Sequence, residues 1–536
     1  MKHRNAIHMT ILFALGSLAL LPTTQAVSPA PDGGYPGGNT AEGQNALLSL
    51  TAGTFNTAVG LFSLLSNTEG QFNTAIGAGA LLANVGGPST FAGVENTAIG
   101  AGALLSNTIG AQNTAGGAFA LFSNTEGSSN TANGDRALFS NTIGFRNTAT
   151  GFQSLASNTE GIENTAIGFD ALHDNSTGGD NTATGFDALF SNTTGNRNTA
   201  NGLEALLSNT TGERNTATGA LALELNTTGS DNTANGAEAL SSNSTGDANT
   251  ASGFQALNHN TTGQENTANG LSALLFNTGG SNNTANGSIA LSSNTIGDRN
   301  TADGFAALSR NTTGSGNIAL GAQAGANLTT GNNNIEIGNE GVDGDSGTIR
   351  IGTASDHTRT FIAGVNSAVV SGGAVFVNGA GQLGIQISSA RFKDEIQPMG
   401  AASEALFALK PVTFRYKSEI DPDRTPQFGL LAEEVEKINP DLIIRDRDGR
   451  PHTVRYEQIN AMLLNEFLKE HRKVEEQQAT IGRLKADAVK QEATTSELKK
   501  NTEVLTAELK KQATQIQEVS TEIEMRRSVT RMVLNP

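Results

Sequence analysis

The chain contains no cysteine and no tryptophan, only three tyrosines, and no lysine between Lys2 and Lys393. Each absence closes a class of function. Without cysteine there is no disulfide scaffold, thiolate metal site or thiol nucleophile. Aromatic residues make up 5% of the chain and charged residues 16%, against about 25% charged in an average domain. That leaves too little material for one large jigsaw core, so a repetitive architecture is expected instead. Residues 1–387 carry 10 Lys+Arg against 26 Asp+Glu, whereas residues 388–536 carry 24 against 25. The long acidic part has no basic stripe to neutralise phosphates, which excludes nucleic acid as a partner. No ligand spacing points to a metal, and no motif points to a cofactor.

At the N-terminus, Lys2 and Arg4 precede the apolar run 11–21, and Thr24-Gln25-Ala26 forms a small-residue cleavage pattern before Val27. Residues 1–26 read as a secretory signal peptide. The run is about half of the roughly 20 apolar residues that cross a bilayer, and no later segment reads as a membrane span. A secreted or cell-surface location follows.

What is abundant is one sentence, repeated. Asn opens a unit at 39, 56 and 73, then every 17 residues from 96 to 334, and sixteen of these eighteen units begin Asn-Thr-Ala. The single longer step, between 73 and 96, carries six extra residues near Gly86-Gly87-Pro88, as a loop inserted at a corner would. A strict period of this size predicts stacked turns that each cover the apolar face of the next. Leucine at the ninth position, from Leu172 through Leu189 and Leu206 to Leu308, predicts a continuous apolar seam.

Two short strands per turn are expected, with positive φ at the glycines of the fifth and fifteenth positions, such as Gly185 and Gly195. Asn and Thr at fixed positions predict hydrogen-bonded ladders along the axis. At about 4.8 Å per stacked strand the units after Asn96 would make a rod on the order of 70 Å long. The acids Asp170, Asp187, Glu204 and Glu224 read as scattered around a solvated face, with no paired carboxylates for glycosidase chemistry. The sequons at Asn192, Asn209 and Asn311 are what the repeat spells. The repeats resemble in style the head repeats of trimeric adhesins, whose short turns stack into a β-roll. A disordered linker and an ice- or glycan-binding solenoid are the competing readings.

Beyond Asn334, short alternating segments such as Ile335-Glu-Ile, Thr348-Ile-Arg-Ile and Gly373-Ala-Val-Phe-Val predict strands. They end at Gln382-Leu-Gly-Ile-Gln-Ile387, just before the charged part begins. There Ser388 and Lys393 stand five apart with Arg391 between, followed by Leu409-Lys-Pro-Val-Thr-Phe-Arg-Tyr-Lys417, Phe428-Gly-Leu-Leu-Ala-Glu-Glu-Val-Glu436 with Asn439-Pro-Asp-Leu442, and Val454-Arg-Tyr-Glu-Gln-Ile-Asn-Ala-Met-Leu-Leu464. These four ordered blocks resemble the self-cleaving C-terminal intramolecular chaperone of phage endosialidases and related tail fibres, over residues 385–480. The resemblance implies a homotrimer and autoproteolysis of the Ile387–Ser388 bond, with Ser388 as nucleophile and Lys393 as base. Ser389 is a rival nucleophile, but only Ser388 has the family's spacing to Lys393. An amine can take a serine proton only when withdrawn from water. Residues five apart lie on opposite faces of a strand, so a turn must bring the two side chains together.

From Phe467 onward a long helix is expected, with Gly482 its only glycine. Phe467, Val474, Ile481, Ala488, Leu509, Ile516 and Ile523 hold one heptad position, and Leu484, Leu498, Leu505 and Val519 its partner. Gln477, Gln491 and Gln512 interrupt the seam.

The sequence therefore predicts a mainly β, trimeric fibre, divided as signal peptide 1–26, linker 27–38, repeat rod 39–338, β-rich neck 339–387, self-cleaving chaperone 388–465 and coiled-coil helix 466–536. Its function would be that of an exported adhesive fibre whose one enzymatic act is a serine endopeptidase cut on itself. A cell-surface glycan or protein is the receptor such a fibre would meet. The alternative is a structural fibre that is never cut.

Overall fold

The computed structural model describes residues 35–87, 91–353, 355–357, 359–362, 374–378, 381–446 and 448–530. The signal peptide and the apex of the inserted loop lie outside them. The chain divides into two compact units, Met1–Phe361 and Ile362–Pro536, each taken separately below.

The first unit is a β-solenoid. Each 17-residue unit contributes one three-residue strand, such as Thr182–Thr184, which pairs in parallel and in register with Thr165–Ile167 on one side and Thr199–Asn201 on the other. The stack begins at Thr40–Glu42. It passes the insertion without slipping, because Thr74–Ile76 pairs directly with Thr97–Ile99. It ends at Ile349–Ile351, so the parallel sheet extends into the stretch assigned above to the neck.

The expected second strand is absent. In its place residues 186–191 form continuous turns, with Asp187 at φ 53° and Leu189 at φ 55°. The left-handed region costs a residue with a Cβ roughly 1–2 kcal/mol. Burying a leucine side chain recovers about 1.5–3 kcal/mol, and Leu172 through Leu308 are all fully buried at this position. The backbone turns inward to deliver the leucine, and its amide still reaches the next coil, as Leu189 N donates to Ala205 O at 2.9 Å. One core of alanine and leucine runs from Ala41 to Leu328.

The two glycines of the unit serve different ends. Gly185 has φ 140°, as expected for a corner. Gly195 is not in the positive region. A Cβ there would lie 2.4 Å from Gly212 O and 2.5 Å from Asn192 Oδ1, so close approach between coils requires glycine.

That approach serves two buried asparagine columns. Asn198 N donates to Asn181 Oδ1 at 2.9 Å, and its Nδ2 donates to Gly212 O at 2.8 Å. From the other side Asn209 Nδ2 donates to Asn192 Oδ1 at 2.8 Å and to the same Gly212 O at 3.1 Å. Thr193 Oγ1 adds a bond to Thr210 O at 3.0 Å. The predicted ladders are present, and they satisfy the polar groups that such a thin core buries.

The outward face is less uniform. Phe152, Phe169 and Phe186 stack at 5.1 and 5.2 Å. Asp170, Asp187 and Glu204 share one repeat position, so these three acids form a column instead of scattering. Burial raises the Asp170 and Asp187 carboxyls, and for Asp187 the neighbouring acids add to it.

The second unit is small α+β followed by a long helix. Antiparallel pairs join Phe376–Val377 to Leu383–Gly384, Val412–Phe414 to Gln427–Gly429, and Ile443–Arg445 to Pro451–Val454. A short helix, Ala432–Ile438, packs on the last pair, and the final helix runs Tyr456–Thr530, starting eleven residues before the point expected from composition. Its core is modest: Val435, Leu442, Ile443, Val454, Ile459 and Met462. Among the described residues no helix is long and apolar enough to cross a membrane.

Candidate functional site

The bond singled out by the sequence lies where the short strands give way to turns. Ser389 precedes a single 3-10 turn, Ala390–Phe392, closed by Phe392 N donating to Ser389 O and Lys393 N to Ala390 O, both at 3.1 Å. This turn supplies the bend that a five-residue spacing demands. It folds the chain so that Lys393 Nζ reaches Ser388 Oγ at 3.3 Å. Ser389 has no such contact with Lys393 among the bonds described. Arg391, the residue between them, lies over the Phe392 ring at 4.6 Å.

Ile387, Ser388 and Lys393 are all exposed in the single chain, as is every described residue from Gly381 to Ala402. The pair is therefore assembled but not enclosed. Lys393 is exposed among the described residues.

A second serine–lysine contact was not visible in the sequence. Ser403 is buried, and its hydroxyl accepts from Lys469 Nζ at 3.3 Å and from Asn465 Nδ2 at 2.6 Å while donating to Glu466 Oε1. Lys469 Nζ also donates to Glu466 Oε1 at 2.6 Å. The Lys469 bond, then the Ser403 bond, hold the Glu466 carboxyl below the usual range. Ser403 is thus one member of a hydrogen-bonded group with Asn465, Glu466 and Lys469. The contact joins residues more than sixty apart, so no local pattern in the sequence signals it.

The exposed apolar residues of this unit cluster on the same elements. Leu383, Ile385 and Ile387 are exposed along one segment, Phe407 and Phe428 are exposed, and so are Phe467, Val474, Ile481, Leu509 and Ile516 along the helix. Exposed apolar surface on this scale marks an interaction site.

No curated protein matches the chain. Residues 388–444 match the family model Peptidase S74, chaperone of endosialidase, whose first residue is Ser388. Behind a long β-solenoid, the chain thus carries a Peptidase S74 chaperone-of-endosialidase domain.

Proposed function

We propose that the protein is an exported trimeric fibre whose C-terminal chaperone directs assembly and then cuts itself away before Ser388. The observation that carries this is the Ser388–Lys393 contact at 3.3 Å, formed by one 3-10 turn at the first residue of the family match.

In the cut, Lys393 as free amine takes the Ser388 Oγ proton while Oγ adds to the carbonyl carbon of Ile387. Collapse of the tetrahedral adduct expels the Ser388 nitrogen, which takes up a proton, and leaves an ester between Ile387 and Oγ. Water hydrolyses the ester, giving a carboxylate at Ile387 and a free hydroxyl at Ser388. An amine performs the first step only in a site from which water is excluded. A single chain leaves this turn open, so neighbouring chains are the natural cover. The exposed heptad residues of Tyr456–Thr530 and the exposed Leu383, Ile385 and Ile387 are the surfaces that would bring them.

The coupling has a physical use. A rod of near-identical coils has many close registers and little local information to choose among them. A separate nucleus that aligns the chains, and is discarded afterwards, solves that problem. The rod that remains is the adhesive product, delivered outside the cell by the N-terminal signal.

Full-length chain expressed with Ser388→Ala or Lys393→Ala should remain whole on a denaturing gel, whereas the parent chain yields a C-terminal piece whose mass begins at Ser388. Cutting that persists in Ser388→Ala would refute the assignment. A parent chain that never cuts would favour the structural fibre.

A further inference from the structure

The chain that leaves the Ser388–Lys393 turn makes its first hydrogen bonds to the long helix, among the described residues, at Gly400 and Ser403. Residues 381–402 are exposed wherever described, and Ser403 is the only buried residue of the 3-10 helix Gly400–Ala408. What anchors it is polar. One hydroxyl offers a single donor and two acceptor sites: Asn465 and Lys469 donate to it, and its own proton faces Glu466 Oε1, with Gly400 O a second acceptor at 3.4 Å. Asn465 Nδ2 also donates to Gly400 O at 3.2 Å, and Lys469 lies 3.7 Å from Glu404. The three partners are consecutive or one turn apart near the start of the long helix, on the face turned toward Gly400–Ala408.

We infer that Ser403, Asn465, Glu466 and Lys469 form a latch that ties the segment carrying the Ser388–Lys393 turn to the heptad helix, making them positioning residues for the self-cleavage. The inference rests on the proposed cleavage and adds to it the route by which helix assembly reaches the scissile bond.

The chemistry of the contact supports a positioning role over simple cohesion. The junction already has apolar packing, from Ala405, Leu406 and Leu409 against the core that contains Ile459 and Met462. Apolar contact is non-directional and tolerates sliding. Hydrogen bonds are directional, and a displacement of one helical turn would take Asn465, Glu466 and Lys469 out of reach of the buried Ser403 hydroxyl. The network therefore defines one register between the 3-10 helix and the heptad helix. Seven residues upstream of Gly400 stands Lys393, with no other buried anchor between them. When partner helices fix Tyr456–Thr530, the latch confines Lys393 to the reach of the short segment that leads back from Gly400.

The test uses the full chain. Ser403→Ala removes the hydroxyl shared by three partners, whereas Glu466→Gln keeps an acceptor of the same shape. Fragment release is timed on denaturing gels. Assembled mass is measured by sedimentation for the same substitutions in the uncut Ser388→Ala chain. Misplacement of a reacting group by about an ångström lowers a rate by about 100-fold, so Ser403→Ala is expected to cut at least about tenfold more slowly at unchanged assembled mass, with Glu466→Gln retaining more of the rate than Ser403→Ala.

Cutting by Ser403→Ala within about twofold of the parent would overturn the latch and leave the self-cleavage reading intact. A rate loss that tracks loss of assembled mass would also overturn it, because the network would then be cohesion alone. Should Ser403→Ala fail to fold, amide exchange in the Ser388→Ala chain decides: residues 400–408 must be protected together with the helix around 465–469, and free exchange there contradicts the latch. A parent chain that stays whole would remove the cleavage itself, a result distinct from the others.

Discussion

Position three of the repeat is a buried alanine in every coil from Ala41 to Ala319, and in the next coil it is Glu336. The side chain is fully buried, neither carboxylate oxygen has a hydrogen bond, and the nearest cation, Arg350 on the adjacent strand, has its Nε 3.8 Å away. Burial, opposed by Arg350 and reinforced by Asp345, pushes this carboxyl from its ordinary 4.5 up to about 7. The folded chain thus holds the Glu336 proton more tightly than the unfolded chain does. Its contribution to stability is complete below pH 4.5, is lost as pH rises toward 7, and is level above that. Amide exchange across Ile335–Ile351 should accelerate between pH 5 and pH 8 beyond the intrinsic base-catalysed rise, and Glu336→Gln should abolish that excess. An asparagine in either column makes the opposite point, since its loss leaves partners unsatisfied. Asn198→Ala strips Gly212 O of one donor and Asn215 of its acceptor, and should destabilise its coil by about 1–3 kcal/mol in denaturant melts. At this scale the sequence was legible wherever a residue recurs. Ser388 and Lys393 could be named because their spacing resembles a family's, and the turn joining them could be required but not located. Ser403 was not legible, because its environment is made by residues sixty positions away.

Elements built by repetition follow a rule of whole units. Removing residues 198–214 deletes one complete coil and lets Thr182 pair with Thr216 as it now pairs with Thr199. Such a chain should melt close to the parent. Deleting Thr199 alone inverts the inward and outward positions of one strand and should lower the melting temperature markedly in the same circular-dichroism scan. Leu206→Ala, which empties a fully buried site of the ladder, should cost about 2–5 kcal/mol. The ladder and the asparagine columns were readable because a period exposes what must face inward. The number of strands was not, since leucine is not a residue type that announces positive φ. Only stacking, which buries Leu189 and still bonds its amide to the next coil, makes that conformation acceptable. The fifteenth glycine was read for the wrong reason in the same way: the demand comes from Gly212 in the neighbouring coil, not from the turn containing Gly195.

Across the whole molecule two contrasting kinds of surface are joined in one chain. The solenoid buries its ninth-position leucines, third-position alanines and asparagine columns within a single copy while Phe169, Phe186 and Leu203 stay exposed, and the C-terminal unit leaves Ile385, Ile387, Phe407, Phe428 and a long heptad face open around a small core. Under the proposed function, the exposed Ser388–Lys393 contact is covered by other copies on assembly. If the cut is a consequence of assembly, its rate depends on chain concentration, and that dependence is the most direct test. Unfolded full-length chain is diluted into refolding buffer over a wide range of concentrations, and appearance of the fragment beginning at Ser388 is followed by mass spectrometry. A rate that falls steeply on dilution, with the uncut chain remaining at its monomer mass of 55.2 kDa, is the predicted result. A rate independent of concentration, with cutting by isolated single chains, would contradict it.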